Sequence, residues 1–149
     1  MPWIKVKPVI DIKMRGLCKK AYPLHKKGCP NWGIKKGCTP DAPIFANNYS
    51  SVFAIYNIFQ FKTHTDKMKA KYPLWSKRQV QCCLYWQGTA RLALRREIKS
   101  FLTQHRGYKI IGCPEAQGVN LTATMKNAGV ILEWPPIQIA YQIVLAVKT

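Results

Sequence analysis

Acidic residues are scarce in this sequence. Six Asp and Glu stand against 24 Lys and Arg, so the 149 residues carry a formal charge of +18 at pH 7. This imbalance is unusual for an enzyme that acts on a small neutral molecule, and it favours polyanionic partners such as nucleic acid or an anionic membrane surface. Solubility, or compensation of a negatively charged cofactor, would explain the same excess, so composition alone leaves the partner open.

Long apolar runs are also missing. No segment approaches the ~18 consecutive apolar residues of a membrane span, and the residues after Met1 do not form the apolar core of a signal peptide. We therefore expect a soluble, cytoplasmic protein with no membrane span. In a reducing compartment the six cysteines of the chain are more often metal ligands, reactive thiols or core residues than disulfides.

The common catalytic motifs are absent as well. The sequence contains no Walker loop, dinucleotide fingerprint, HExxH zinc motif or GxSxG nucleophile element. Its motifs therefore do not decide whether the protein is an enzyme. Internal repeats and linker-like segments are lacking too. Because 48% of the residues are hydrophobic, the chain can build a core, and we expect a single domain over residues 1–149.

Apolar patterning places the regular structure in a core over about residues 49–149. Residues 51–61 are β-branched and aromatic and predict a buried strand. Ser76 and Gln79 have the spacing of a capping box that opens a long helix to about His105. Further predicted elements are a helix over 63–71, a helix that Asn120 caps and that runs through Lys126, and strands over 108–111, 130–133 and 137–146. This order predicts an α+β fold with a roughly four-stranded mixed sheet and helices on one face.

Residues 16–48 precede this core and have a different character. Glycine and proline recur at short intervals there, with no helical or alternating apolar period. A loop of roughly thirty residues is uncommon inside a compact domain unless something organises it. Metal ligation is the simplest organiser, because binding supplies folding free energy directly. We therefore predict a cysteine-rich metal-binding loop at one end of the sheet.

Four of the six cysteines lie close to turn-forming residues rather than in apolar runs. A glycine or proline lies within two positions of each of them, which are Cys18, Cys29, Cys38 and Cys113. A buried structural cysteine needs no glycine beside it, whereas a thiolate ligand needs a backbone that bends around an inorganic core. We interpret these four cysteines as the ligands of a metal or iron-sulfur site, although their spacing differs from the paired knuckles of zinc ribbons and bacterial ferredoxins.

The remaining two cysteines, Cys82 and Cys83, fall inside the predicted long helix. Adjacent residues on a helix point about 100° apart, so these two thiols cannot easily share one metal. We therefore interpret them as core or partly exposed thiols rather than as further ligands.

Two stretches of the sequence resemble a known family. Residues 29–33 (CPNWG), followed by residues 37–40 (GCTP), are similar to the C-x-x-[YW]-G-K…C-P-P loop of small prokaryotic proteins described as predicted metal-binding proteins of unknown function. Residues 114–121 (PEAQGVNL) resemble the E-A-x-G-[IV]-[DN] tail motif of the same family. The resemblance implies metal or iron-sulfur binding and no established reaction. Members usually carry another cysteine-rich segment between the two motifs, where this chain has Cys82 and Cys83, so a second cluster is not implied.

The four thiols are expected to hold a 4Fe-4S cluster, because they come from a long irregular loop and a distant strand end rather than from two tight knuckles. Zinc is the alternative, in a zinc-stabilised nucleic-acid-binding protein. In a third arrangement Cys113 is not a ligand, and the open iron acts as a Lewis acid or sulfur acceptor. A structural role, electron transfer, and redox or sulfur chemistry all stay open as uses of the cluster.

Two further sets of residues are candidates for function. Glu115 follows Cys113 by two residues and is a candidate general base, with an ordinary salt bridge as the plainer alternative. Arg91, Arg95 and Lys99 recur every four residues on the long helix. A nucleic-acid backbone would relieve the repulsion between these like charges, although a solvated charged face is the plainer explanation.

Overall fold

The β-branched and aromatic run after residue 50 forms a strand in the computed structural model, which describes residues 2–20, 26–36, 38–133 and 135–149 but not the side chain of Cys18. The strands are β1 (Trp3–Lys5), β2 (Ser51–Phe59), β3 (Lys109–Ile111) and β4 (Ala140–Lys148). The α-helices are α1 (Phe61–Lys71), α2 (Lys77–Val80), α3 (Gln87–Gln104) and α4 (Leu121–Asn127). Three 3₁₀ helices cover Ile12–Lys19, Cys83–Tyr85 and Pro114–Gln117.

The four strands form one sheet in the order β1-β2-β4-β3. The Tyr56 amide donates to the Pro2 carbonyl at 2.8 Å and the Val6 amide to the Val52 carbonyl at 3.0 Å, which makes β1 and β2 antiparallel. Strands β3 and β4 pair antiparallel, with Ile110 opposite Ala146. The predicted α+β class is confirmed.

The sheet is antiparallel rather than mixed, which corrects that part of the prediction. Helices α1, α2 and α3 connect β2 to β3, and such helical connections are typical of parallel neighbours. Strand β4 lies between these two strands and runs against both of them, so every neighbouring pair is antiparallel. Four consecutive residues of β4, from Val144 to Val147, are buried, as expected for a central strand covered on both faces.

The predicted capping box is present: the Ser76 hydroxyl accepts from the Gln79 amide, and the Gln79 side chain accepts from the Ser76 amide. The prediction of a single long helix after this capping box is wrong, because α2 ends at Val80 and α3 begins only at Gln87. The indole of Trp86 explains the break. It stacks on Phe59 at a centroid distance of 5.0 Å and donates to the Gln81 carbonyl at 3.3 Å. Burial of the indole therefore interrupts the helix between α2 and α3.

The other helices agree closely with the sequence pattern. Helix α3 buries Ala90, Leu94 and Phe101 on one stripe, as the periodicity predicts. The Asn120 side chain caps α4 by accepting from the Ala123 amide at 3.0 Å. Within the described residues no helix has the length and apolar character needed to cross a bilayer.

The strand predicted over residues 130–133 does not form. Instead, the carboxylate of Glu133 accepts from the amides of Ile137 and Gln138, at 3.2 and 3.1 Å. These bonds tie the Glu133 side chain to the backbone that follows Pro136. Strand β4 therefore begins at Ala140 and ends at Lys148, later than the predicted 137–146.

Contacts divide the chain into two compact units. The aromatic unit comprises Met1–Trp3, Ile55–Arg106 and Leu132–Ile143, and its core cluster joins Phe61, Trp86, Ala90 and Ala140. The cysteine unit comprises Ile4–Ala54, Gly107–Ile131 and Val144–Thr149. All four predicted ligand residues belong to the cysteine unit, whereas Cys82 and Cys83 belong to the aromatic unit.

Candidate metal centre

Cys29 and Cys38 lie on a series of turns in the cysteine unit. The Trp32 amide donates to the Cys29 carbonyl and the Cys38 amide to the Lys35 carbonyl, each at 3.1 Å. Gly33 closes the series by donating to the Thr39 carbonyl at 2.9 Å. Its φ of +70° is one that residues with a side chain rarely adopt. These turns hold two free, half-buried thiols on one short segment.

The 3₁₀ helix over Ile12–Lys19 carries Cys18, whose side chain lies outside the described atoms. The helix is tied to the Cys38 turn, since one nitrogen of Arg15 donates to the carbonyls of Pro40 and Ala42, each at 2.9 Å. It is also tied to the Cys29 turn, because the Lys19 ammonium lies 4.5 Å from the centre of the Trp32 ring. The two side chains thus connect the Cys18 segment to the other two cysteines of the loop.

Cys113 is half-buried and immediately precedes the 3₁₀ helix over Pro114–Gln117. This helix packs against the one that carries Cys18. The Asp11 amide donates to the Gly118 carbonyl at 2.7 Å. A Cβ on Gly118 would lie 3.5 Å from the Cα of Ile12, in a backbone conformation with φ +88°. The segment after Cys113 is therefore held close to the start of the helix that bears Cys18.

The three thiols that the structure describes, those of Cys29, Cys38 and Cys113, do not form a metal-binding group. Among the described residues, no three Cys, His, Asp or Glu side chains form a group that could hold a metal ion. The side chain of Cys18 lies outside the described atoms. The structure thus brings the cysteine-bearing segments into one unit, and the four-ligand set stays a prediction.

Thr39 is a feature of this region that the sequence analysis missed. Thr39 is 1% exposed, and its hydroxyl has no hydrogen-bond partner among the described atoms. A buried hydroxyl without a partner is costly. Its position directly after Cys38 could have drawn attention to it. Arg15 and Lys19 were missed as well, and nothing in the sequence distinguishes them from the other basic residues of the first 40.

Glu115 lies in the 3₁₀ helix that follows Cys113 and is partly buried. Burial raises the pKa of its carboxyl group above the ordinary value, because the charged form loses hydration. A carboxyl group with a raised pKa holds its proton at a higher pH than an exposed one. This property suits a proton donor or acceptor.

Cys82 and Cys83 are half-buried thiols in the aromatic unit. They do not lie in the long α-helix that was predicted: Cys82 falls in the break after α2, and Cys83 begins the 3₁₀ helix that follows. Cys83 packs against the cluster that contains Phe61 and Trp86. Its surroundings are those of a small core residue rather than of a ligand.

Arg91, Arg95 and Lys99 are exposed on α3, and Arg91 donates to the Gln87 side chain at 3.3 Å. Every Lys and Arg of the chain except Arg15 is exposed. The described part of the chain contains one salt bridge, between Lys62 and Asp66 at 2.9 Å. Most of the positive charge therefore faces solvent without a carboxylate partner.

Comparisons with known proteins return no relative: no family model, no curated protein and no solved structure matches this chain. The resemblance to prokaryotic metal-binding proteins therefore stays a prediction.

Proposed function

We propose that this chain is a thiolate-ligated metalloprotein in which Cys18, Cys29, Cys38 and Cys113 hold a 4Fe-4S cluster. One observation carries the proposal. The segments that bear these cysteines belong to one unit and are tied together by Arg15, by Lys19 and by the backbone bond from Asp11 to Gly118. Segments far apart in sequence are thus tied to one another by contacts between protein groups.

The donor groups suit such a cluster. Cys29 and Cys38 are free thiols with partial burial, which a sulfur ligand needs if it is to bind metal and exclude water. The unpartnered hydroxyl of Thr39, the residue after Cys38, is a hydrogen-bond donor that would suit a sulfur of the bound cluster. The basic side chains of this unit would offset the negative charge of four thiolates. A bound cluster supplies either one-electron transfer or a structural crosslink.

Binding must also gather the thiols, because the described side chains do not form a ligand group. Metal binding commonly couples to local folding, with ligation completing a site that is only partly formed beforehand. In this proposal the Gly33 turn and the Arg15 contacts limit how far the cysteine segments have to move. Glu115 remains a candidate proton carrier, and no reaction is assigned to it.

Metal and sulfide analysis of anaerobically purified protein tests the proposal. We expect about four iron and four sulfide per chain and a broad absorption near ~400 nm. Colourless protein with one zinc per chain would overturn the iron-sulfur assignment in favour of a zinc site. Protein that binds neither metal under reducing conditions would overturn the metal proposal altogether.

Nucleic-acid binding is a second candidate function, favoured by the exposed Arg91, Arg95 and Lys99 on α3. Each phosphate contact would release condensed counterions, so the affinity for duplex DNA should fall steeply with salt. The double variant Arg91→Gln/Arg95→Gln should lose about two phosphate contacts, which would reduce the slope of log affinity against log salt concentration by about two. Lys126→Gln, which removes an exposed charge from α4, is the control. A salt-independent affinity, or equal effects of these variants, would remove this candidate.

A further inference from the structure

An apolar surface lies where α1 ends and the chain passes through α2. We call Tyr72, Leu74, Trp75, Leu84 and Tyr85 the apolar tip. Leu74 is 98% exposed and Leu84 80% exposed, and the ring of Tyr85 is half exposed. Scattered exposed leucines are common on proteins, but each of these two directly precedes a ring of one aromatic group, since Leu74 precedes Trp75 and Leu84 precedes Tyr85. Such a surface would gain free energy by leaving water.

The aromatic rings of the tip are ordered against one another. Tyr72 and Trp75 stack with their centroids 4.0 Å apart and an interplanar angle of 10°, and Tyr85 lies 5.3 Å from Trp75. The Lys69 ammonium donates to the Trp75 carbonyl at 2.6 Å, and the capping box at Ser76 follows directly. The surface is therefore largely formed in advance, which lowers the entropy cost of binding.

The surroundings of the tip are strongly basic. Between Asp66 and Glu97 the chain contains eight Lys and Arg and no acidic residue. Five of these basic residues flank the tip in sequence and are exposed, namely Lys67, Lys69, Lys71, Lys77 and Arg78. An exposed apolar patch within such a segment complements a surface that is both apolar and anionic.

We propose that the apolar tip docks on the surface of an anionic phospholipid bilayer. Leu74 and Leu84 enter the boundary between headgroups and acyl chains, the aromatic rings lie at headgroup depth, and the flanking lysines pair with anionic headgroups. Nucleic acid would satisfy the same lysines, but it offers the two leucines no apolar environment. Tyr72 and Trp75 already stack on each other, so each has at most one ring face left for a base. This proposal does not depend on the metal centre.

Co-sedimentation with lipid vesicles tests the docking. Vesicles of phosphatidylcholine with about 30 mol% phosphatidylserine are compared with vesicles of phosphatidylcholine alone, using the complete chain. We expect binding to the anionic vesicles only. The double variant Leu74→Ser/Leu84→Ser should weaken that binding by about tenfold or more. The matched control is Ile34→Ser/Ile131→Ser, which replaces aliphatic side chains 82% and 65% exposed in the cysteine unit and should bind like the wild type.

Two charge variants measure the electrostatic contribution to vesicle binding. Lys77→Gln/Arg78→Gln removes two adjacent exposed charges beside the tip, and Lys35→Gln/Lys36→Gln removes a matching exposed pair from the cysteine unit. We expect about a thirtyfold loss for the first pair and a clearly smaller loss for the second.

Three results would overturn the proposal. The first is equal vesicle binding by the wild type and Leu74→Ser/Leu84→Ser, and the second is equal loss from the two charge pairs. The third is a loss of affinity for a single-stranded oligonucleotide in Leu74→Ser/Leu84→Ser that matches its loss for vesicles, which would identify the tip as a nucleic-acid surface.

Discussion

The two units of the chain hold their cysteines in opposite ways. In the aromatic unit, Cys83 packs on a cluster of rings in which Trp86 stacks on Phe59 and meets Phe61 edge to face. In the cysteine unit, Cys29 and Cys38 lie on turns closed by backbone hydrogen bonds and by two long basic side chains. The first arrangement buries its thiol among apolar side chains, whereas the second contains a buried Thr39 hydroxyl that has no hydrogen-bond partner among the described atoms.

The surroundings of a cysteine therefore indicate whether its thiol serves packing or ligand binding. A thiol among aromatic side chains contributes apolar contact area, and its chemistry is incidental. A thiol on a turn closed by glycine contributes little apolar contact area. Its contribution to the protein therefore depends on what the sulfur can bind. Substitutions of the same residue type in the two units test this contrast between packed and ligand-binding cysteines.

The largest expected effect is on metal content. Cys38→Ser removes a proposed ligand from the turn segment and should abolish the cluster, because a serine hydroxyl is a poor ligand for iron in such sites. Cys82→Ser changes a half-buried thiol of the aromatic unit and should leave iron and sulfide per chain unchanged. Metal analysis of both variants, purified in parallel, checks the prediction. Retention of the full metal content by Cys38→Ser would erase the contrast.

The next effect is on stability, measured by chemical denaturation of the metal-free protein. Trp86→Ala removes the 9% exposed ring at the centre of the aromatic cluster and should lower the free energy of unfolding by about 3–5 kcal/mol. Trp32→Ala removes a partly exposed ring that contacts Lys19 and should cost about 1 kcal/mol. Equal costs would show that the turn segment is packed as tightly as the aromatic cluster.

A smaller effect should follow from a buried polar contact of the cysteine unit. The Thr124 hydroxyl is fully buried, accepts from the Val9 amide at 2.9 Å and donates to the Asn120 carbonyl at 2.7 Å. Thr124→Val keeps the volume but leaves the Val9 amide without its acceptor, at a cost of about 1–3 kcal/mol. Thr103→Val, which alters an exposed hydroxyl on α3, should cost under about 0.5 kcal/mol. A Thr124→Val cost as small as that of the control would contradict the importance of polar ties in this unit.

The smallest effect is a pH dependence that belongs to the aromatic unit. Burial, and to a lesser extent the charge of Lys67, lowers the pKa of His64 below its ordinary 6.5. The unfolded chain therefore takes up a proton before the folded chain does. Stability should be full above pH 6.5 and should decline as the pH falls toward the folded pKa.

Denaturation curves recorded between about pH 7.5 and 5 check this sign. His64→Gln should remove the decline, and Lys67→Gln should reduce it. A decline of the same size in His64→Gln as in the wild type would assign it to other groups.

Local features of the fold were predictable from the sequence. The capping box at Ser76 and the cap at Asn120 each depend on residues within one helical turn, so their pattern is visible in the chain. The break after Val80 was not, because it arises from burial of Trp86 against Phe59, a residue far away in sequence. The bonds of Glu133 were missed for a different reason, since its carboxylate accepts from amides that lie beyond two prolines and belong to no regular element.

The candidate site shows the same limit. Glycine and proline beside Cys29 and Cys38 are local signals, and the turns they predict are present. The ties made by Arg15 and Lys19 depend on which of the ten basic residues among the first 40 reaches a distant carbonyl or ring. No local pattern selects among them. The antiparallel position of β4 between β2 and β3 was equally invisible, because strand order is decided by the packing of the whole sheet.

The central claim is that Cys18, Cys29, Cys38 and Cys113 ligate one metal centre and that Cys82 and Cys83 do not. Thiol alkylation of anaerobically purified protein, mapped by mass spectrometry before and after chelation, tests it most directly. Chelation should sharply accelerate alkylation of the four proposed ligands and leave the rates of Cys82 and Cys83 nearly unchanged. Rates at Cys29 and Cys38 that do not respond to chelation, in protein that contains metal, would contradict the account.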